Sequence, residues 1–111
     1  MVDWTQLVGF NWDEGNARKS AEKHDVSQPE AEQIFFNQPL LLLPDLKHSQ
    51  YEPRFHALGK TNNKRQLHIT FTLRFHAEGK LIRIISARDM HRKERSIYEQ
   101  AKKDSQVQKR N

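Results

Sequence analysis

The sequence predicts an α+β domain: a single small domain with one antiparallel β-sheet of about four strands, two helices before it and one after it. Three observations carry that expectation. Gln66 to His76 alternates strictly, with Leu67, Ile69, Phe71, Leu73 and Phe75 on odd numbers and His68, Thr70, Thr72, Arg74 and His76 on even ones. This is the period-two signature of a half-buried strand. Val26-Ser27-Gln28-Pro29-Glu30 reads as a helix start, with Ser27 as the cap, Glu30 as its capping-box partner and Pro29 in the first turn. A chain of 111 residues, 35% hydrophobic, suffices for one domain and one core.

The elements follow in order. Residues 1–9 carry no periodic pattern and are expected to lead into a domain over 10–103. Phe10 and Trp12 flank Asn11 in a brief extended entry, and Asp13 is expected to cap a helix running to about His24. The helix opened by Ser27 carries Ala31, Ile34 and Phe35 at helical spacing and ends near Asn37. Leu40 to Leu43, between Pro39 and Pro44, reads as a buried strand. Arg54 to Lys60 is the next strand candidate, and Thr61-Asn62-Asn63-Lys64 supplies turn chemistry. After the alternating strand, Ala77-Glu78-Gly79-Lys80 turns the chain into Leu81 to Arg88. That apolar strand belongs inside the sheet, antiparallel to its neighbour. Asp89 is expected to cap a helix from Met90 to about Lys103, with Met90, Ile97 and Ala101 as its apolar stripe. Residues 104–111 are polar and are expected to form a flexible tail. With the helices on one face, the other face of the sheet stays partly open and can line a cleft.

Charge is divided along the chain. Residues 1–53 hold 4 Lys/Arg against 9 Asp/Glu, and residues 54–111 hold 15 against 5. A half-chain this basic attracts polyanions, of which RNA is the abundant one in a cytoplasm. The absence of cysteine excludes a disulfide scaffold, a thiolate nucleophile and any Cys-based metal site. The longest fully apolar run, Leu40 to Leu43, is far shorter than the roughly 20 residues of a membrane span. The N-terminus shows no signal peptide, so no membrane association and a cytoplasmic location are expected.

Six histidines stand dispersed at 24, 48, 56, 68, 76 and 91, without metal-ligand spacing, and no glycine-rich phosphate loop is present. No cofactor is therefore expected. The arginines are better placed. Arg54, Arg74, Arg83 and Arg88 fall within or at the ends of strands, and Arg83 is set among Ile82, Ile84 and Ile85. Such an arginine is either an internal salt bridge, with Glu52 or Glu94 as partner, or a clamp for phosphate on an open face. The hairpin register decides between the faces, and a one-residue slip reverses the answer. Cleavage at a 2′-hydroxyl needs charge stabilisation and proton transfer but no metal. Arg54, Arg83 and Arg88 can meet the first need, and Lys23, His24 and Tyr98 are the proton-handling candidates. Lys60, Lys64 and Arg65, at a strand turn, and Arg74 are expected RNA contacts.

Several blocks together resemble the BrnT toxin family: Phe10-Asn-Trp-Asp13, Lys23-His24 followed by Val26-Ser27, Leu43-Pro44-Asp45, His48, Glu52-x-Arg54-Phe55, Ala57-Leu58-Gly59 and Ile82-Arg-Ile-Ile-Ser-Ala-Arg88, with Glu94 and Tyr98 beyond. The usual Gly after the Lys-His pair is Asp25 here. The resemblance implies a RelE-like fold and a metal-independent endoribonuclease that inhibits translation and growth as the toxin of a bacterial toxin–antitoxin pair. It implies a BrnA-like antitoxin, a ribbon-helix-helix DNA-binding protein through which alone the chain meets operator DNA, with the ribosome as a further contact. It also marks Lys23, His24, Arg54, Arg83 and Arg88 as site residues. The competing readings are a non-catalytic RNA- or ribosome-binding module and a protein-interaction domain. A single-strand binder would show exposed aromatics on its sheet, whereas Phe71 and Phe75 share the apolar face.

Overall fold

A computed structural model describes residues 4–110. The parts of the expected lead-in at residues 1–3 and of the tail at residue 111 lie outside the described residues. Eight regular elements follow in the order β1 (Leu7–Phe10), α1 (Glu14–His24), α2 (Gln28–Gln33), β2 (Leu41–Pro44), β3 (Arg54–Lys60), β4 (Gln66–His76), β5 (Gly79–Asp89) and α3 (Arg92–Arg110), with 3-10 turns at Trp4–Gln6, Ile34–Phe36 and Leu46–His48. The class is α+β, with three helices as expected. The sheet has five strands rather than four, ordered β1-β5-β4-β3-β2. The extra strand, β1, runs parallel to β5, so the sheet is mixed.

The alternation of β4 sets the core. Leu67, Ile69 and Phe71 are fully buried, and Ile82, Ile84, Ala57, Ala31, Ile34 and Val26 close around them. Phe71 lies edge-on to Phe35 and stacks on Phe55. Phe75 shares the parity of this face but is 88% exposed, because the tip of the β4–β5 hairpin runs past the core; Lys80 lies over its ring.

The caps agree with the chemistry of the sequence. Ser27 accepts from the Glu30 amide, and the Glu30 side chain accepts in return from the Ser27 amide. Asp13 accepts from the Asn16 amide at 3.1 Å, opening α1. Where the resemblance leads one to expect Gly after Lys23-His24, Asp25 sits at φ +54°, the left-handed conformation that ends a helix. Beyond the end of β1, α1 runs beside β5, and Asn16 donates to the Ile84 carbonyl, an acceptor that β1 does not reach.

Four expectations are corrected. The second helix is a single α-helical segment to Gln33 continued by the 3-10 turn, not a helix to Asn37. The leucine strand is an edge strand: Leu42 packs on the main core and Leu41 on the opposite face, while Leu43 is exposed. Asp89 ends β5 instead of capping α3, which starts at Arg92 and continues past Lys103 to Arg110. Finally, α3 does not join the other helices. Its buried Tyr98, with Met90 just before the helix, meets Leu58 on the second face of the sheet, while Ile97 is left half exposed. The second face is therefore roofed at one end and open at the other.

Gly59 is where β3 meets the Ile34 turn. A Cβ there would stand 2.9 Å from the Ile34 Cβ. Gly59→Ala is expected to cost about 1–3 kcal/mol through overpacking. A thermal melt checks this, and an unchanged midpoint would contradict the tight approach. Among the described residues no helix is long and apolar enough to cross a membrane.

Candidate active site on the polar face of the sheet

The hairpin register settles the position of Arg83. Thr72 pairs with Arg83, and Phe71 and Leu73 pair with Ile84 and Ile82. Arg83 therefore lies on the polar face with His68, Thr70, Thr72 and Arg74. In the neighbouring ladder Arg54 pairs with Thr72, His56 with Thr70, and Leu58 with His68. Three cross-strand rows result: Arg54–Thr72–Arg83, His56–Thr70–Ser86 and Leu58–His68–Arg88. Same-face residues along one strand are about 7 Å apart, and the two arginines of the first row are about 10 Å apart at the backbone.

The first row is basic and incompletely paired. Arg83 donates to the Asn11 side chain at 2.7 Å and pairs with Asp13 at 2.9 Å. Its partner is thus neither Glu52, which binds Arg74, nor Glu94, which binds Arg88. Asp13 is 58% exposed, so this ion pair is solvated and open to exchange. Its carboxyl is held below the ordinary value chiefly by the Asn16 amide, then by Arg83. Arg54 is different: its Nε is buried and has no hydrogen-bond partner, and among the described residues no carboxylate pairs with it. Thr72, buried between the two, donates to the Pro53 carbonyl.

The middle row holds a histidine that the sequence left among dispersed ones. His56 Nε2 lies 3.1 Å from Asp45, and Nδ1 lies 3.1 Å from the Thr70 hydroxyl. Asp45, nearly buried, also binds His48 Nδ1 at 2.9 Å. Burial opposes its ionisation, but the hydrogen bond from His48 and the charges of both histidines hold it below the usual carboxylate value. The rings of His56 and His68 are 4.9 Å apart.

The third row is closed. Arg88 grips Glu94 with two hydrogen bonds of 2.8 and 3.0 Å. That pairing, against burial and with help from the His91 amide, brings the Glu94 carboxyl to about 2. Burial and the Arg88 charge push His68 down to about 4. A neutral buried His68 makes stability rise with pH from about 4 to the ordinary histidine value near 6.5, because the unfolded chain binds the extra proton in that window. Melts at pH 7.5 and 5 are expected to show a loss at pH 5 that shrinks in His68→Leu. An equal loss in both proteins would contradict the assignment.

The other expected site residues are distributed as follows. Lys23 and His24 end α1 beside the Arg65–Asp89 pair, where the His24 carbonyl accepts from Arg65 and its charge reaches Asp89. They flank the Arg88 end of β5, away from the Arg54–Arg83 row. Tyr98 is fully buried and donates to the Pro39 carbonyl at 2.8 Å. Burial raises its hydroxyl to about 12, so it anchors α3 and cannot touch a substrate on the open face. Arg65 spends every N–H on the protein, donating to Asp89, Glu30 and the carbonyls of His24 and Asp25. Lys60 and Lys64 stand at the β3–β4 turn, with Lys64 exposed. Arg74 is exposed and paired with Glu52.

Asp45, His56, Thr70, Thr72 and His68 were not singled out as site residues by the sequence. Parity held the signal: once the odd residues of β4 are inward, even residues of β3 share the polar face if the pairing sums are even. Among the described residues no group of three or more His, Asp or Glu is arranged to hold a metal ion.

A family model described as "Ribonuclease toxin, BrnT, of type II toxin-antitoxin system" matches residues 12–94. No curated protein matches the chain. The matched span contains all three rows of the polar face.

Proposed function

The chain belongs to the BrnT family of ribonuclease toxins of type II toxin–antitoxin systems, and from that premise we propose that it is an endoribonuclease whose polar sheet face holds the scissile phosphate between Arg54 and Arg83. Family membership brings with it RNA as substrate and an antitoxin as partner. The observation that carries the site assignment is the buried, unpartnered Arg54 Nε across Thr72 from Arg83. A buried donor without an acceptor is costly in a folded protein and is relieved when an anion binds. Guanidinium groups suit phosphate, and two of them at one phosphate stabilise the charge that builds up as a 2′-oxygen attacks phosphorus.

On this reading cleavage is metal-independent. The strand of RNA tracks from Arg74 across the arginine row toward the His56 row, with Lys60 and Lys64 as outer phosphate contacts. The protein acts in the cytoplasm, where RNA cleavage inhibits translation and growth, with or without contact to the ribosome. A BrnA-like ribbon-helix-helix antitoxin neutralises it and carries the complex to operator DNA.

The test is incubation of the purified chain with RNA in excess EDTA, across a salt series. Cleavage is expected to survive chelation and to weaken steeply with salt, as phosphate contacts do. Binding without cleavage would leave only a binding module. Activity lost on chelation and restored by a divalent ion would overturn the metal-free mechanism.

A further inference from the structure

We infer that His56, oriented by Asp45, takes the proton from the attacking 2′-hydroxyl. The inference rests on the ribonuclease reading of the polar face and adds the base that this reading lacks. Asp45 is nearly buried, and an ionised carboxylate only accepts hydrogen bonds. Its contact with His56 Nε2 at 3.1 Å favours the tautomer with the ring proton on Nε2. That leaves a lone pair on Nδ1, and Nδ1 already meets a hydroxyl, that of Thr70, at 3.1 Å. A base fixed by a carboxylate on one nitrogen and facing a hydroxyl on the other has the arrangement needed for alcohol deprotonation. The ring is one row from Arg54 and Arg83, and its side chain is 34% exposed, so a ribose beside the clamped phosphate reaches it. The 2′-hydroxyl replaces Thr70 as the donor to Nδ1.

The charged and titratable groups facing His56 agree with this role. Asp45 and His48 approach from the β2–β3 connection, Arg54 from its own strand and His68 from β4, with Arg88 and Glu94 behind His68. His68 stays neutral above about pH 4, so the adjacent ring adds no positive charge when His56 accepts a proton. Asp45 stabilises the imidazolium that forms. In the step the 2′-O–H bond breaks and its proton moves to Nδ1, while the 2′-oxygen bonds to phosphorus. The P–O5′ bond breaks, and the leaving oxygen takes a proton from solvent water. The hydroxide so formed is neutralised when His56 releases its proton. The products are a 2′,3′-cyclic phosphate and a 5′-hydroxyl, with no net water consumed.

The experiment is single-turnover RNA cleavage between pH 5 and 9 by wild type, His56→Gln, Asp45→Asn and the turn control His76→Gln. Affinity for 2′-deoxy RNA is measured alongside. The wild type is expected to lose rate on the acid side. His56→Gln is expected to lose about 10²–10⁴-fold in rate, the range of general base catalysis, and to lose the acid limb while keeping its affinity. Asp45→Asn should fall between, and His76→Gln should match wild type. If His56→Gln melts, His56→Ala with added imidazole replaces it, and rescue of the rate is the expected result. An active wild type whose rate and acid limb survive in His56→Gln, or a His56→Ala that imidazole fails to rescue, overturns the inference and leaves the ribonuclease reading standing. A wild type that binds 2′-deoxy RNA but cleaves nothing overturns the ribonuclease reading and this inference together.

Discussion

Arg54→Ala is expected to lower RNA cleavage by about 10²–10³-fold, the usual effect of removing one preorganised charge donor from a transition state, while the melting temperature stays close to wild type. The structural reason is that no hydrogen bond or ion pair of the Arg54 side chain holds the free protein together. Its Nε is buried with no partner, and deleting an unsatisfied donor removes a cost instead of an interaction. Arg83→Ala is expected to behave similarly. Its carboxylate partner, Asp13, is 58% exposed, and a solvated pair contributes little to stability. Were Arg83 an internal strut, its removal would leave a buried charge and cost several times as much. Melting and cleavage on the same preparation decide the matter. A large drop in midpoint, or a normal melt with full activity, contradicts the phosphate clamp.

Arg65→Ala is expected to show the opposite pattern. Its guanidinium joins the end of α1, the α2 cap and the ends of β4 and β5 through Asp89, Glu30 and two backbone carbonyls. The bonds to Asp89 come first among the causes that raise its pKa. Side-chain exposures of 27% for Arg65 and 61% for Asp89 mean that solvent screens part of this. Losing the hub is expected to cost about 2–3 kcal/mol after that discount, or roughly 10–20 °C in a domain of this size. Arg65→Lys should rescue little, because an ammonium cannot span the same acceptors. Lys64→Ala, by contrast, should weaken RNA binding without moving the melt. Equal melting temperatures for Arg65→Ala and wild type would return Arg65 to the RNA surface.

Local signals carried the elements that neighbours in sequence determine. The β4 alternation, the Ser27–Glu30 box and the Asp13 cap need only a few residues each, and all three are present. What the sequence concealed depends on distant partners. Leu7–Phe10 is four residues with Gly9 among them, and it becomes a strand by lying parallel to β5, more than seventy residues away. The buried face of α3 is not the one its most apolar residue marks: Ile97 looks more apolar than Tyr98, yet it is Tyr98 that packs with Met90 over Leu58 and donates its hydroxyl to Pro39. Arg83 was legible as an oddity among isoleucines but not as a face, since that depends on register. His56 and His68 sit twelve positions apart in sequence and touch only because the turn between β3 and β4 brings even residues together.

The central claim is that RNA lies on the polar face of β3, β4 and β5 at the arginine row. The direct measurement is a backbone and side-chain NMR titration of the full chain with an RNA made uncleavable by 2′-deoxy substitution. The largest shifts are expected on Arg54, His56, Thr70, Thr72 and Arg83, with the Arg54 Nε–H gaining a partner. Shifts confined to the end of α1, to Lys60 and Lys64, or to α3, with Arg54 and Arg83 unmoved, would contradict it.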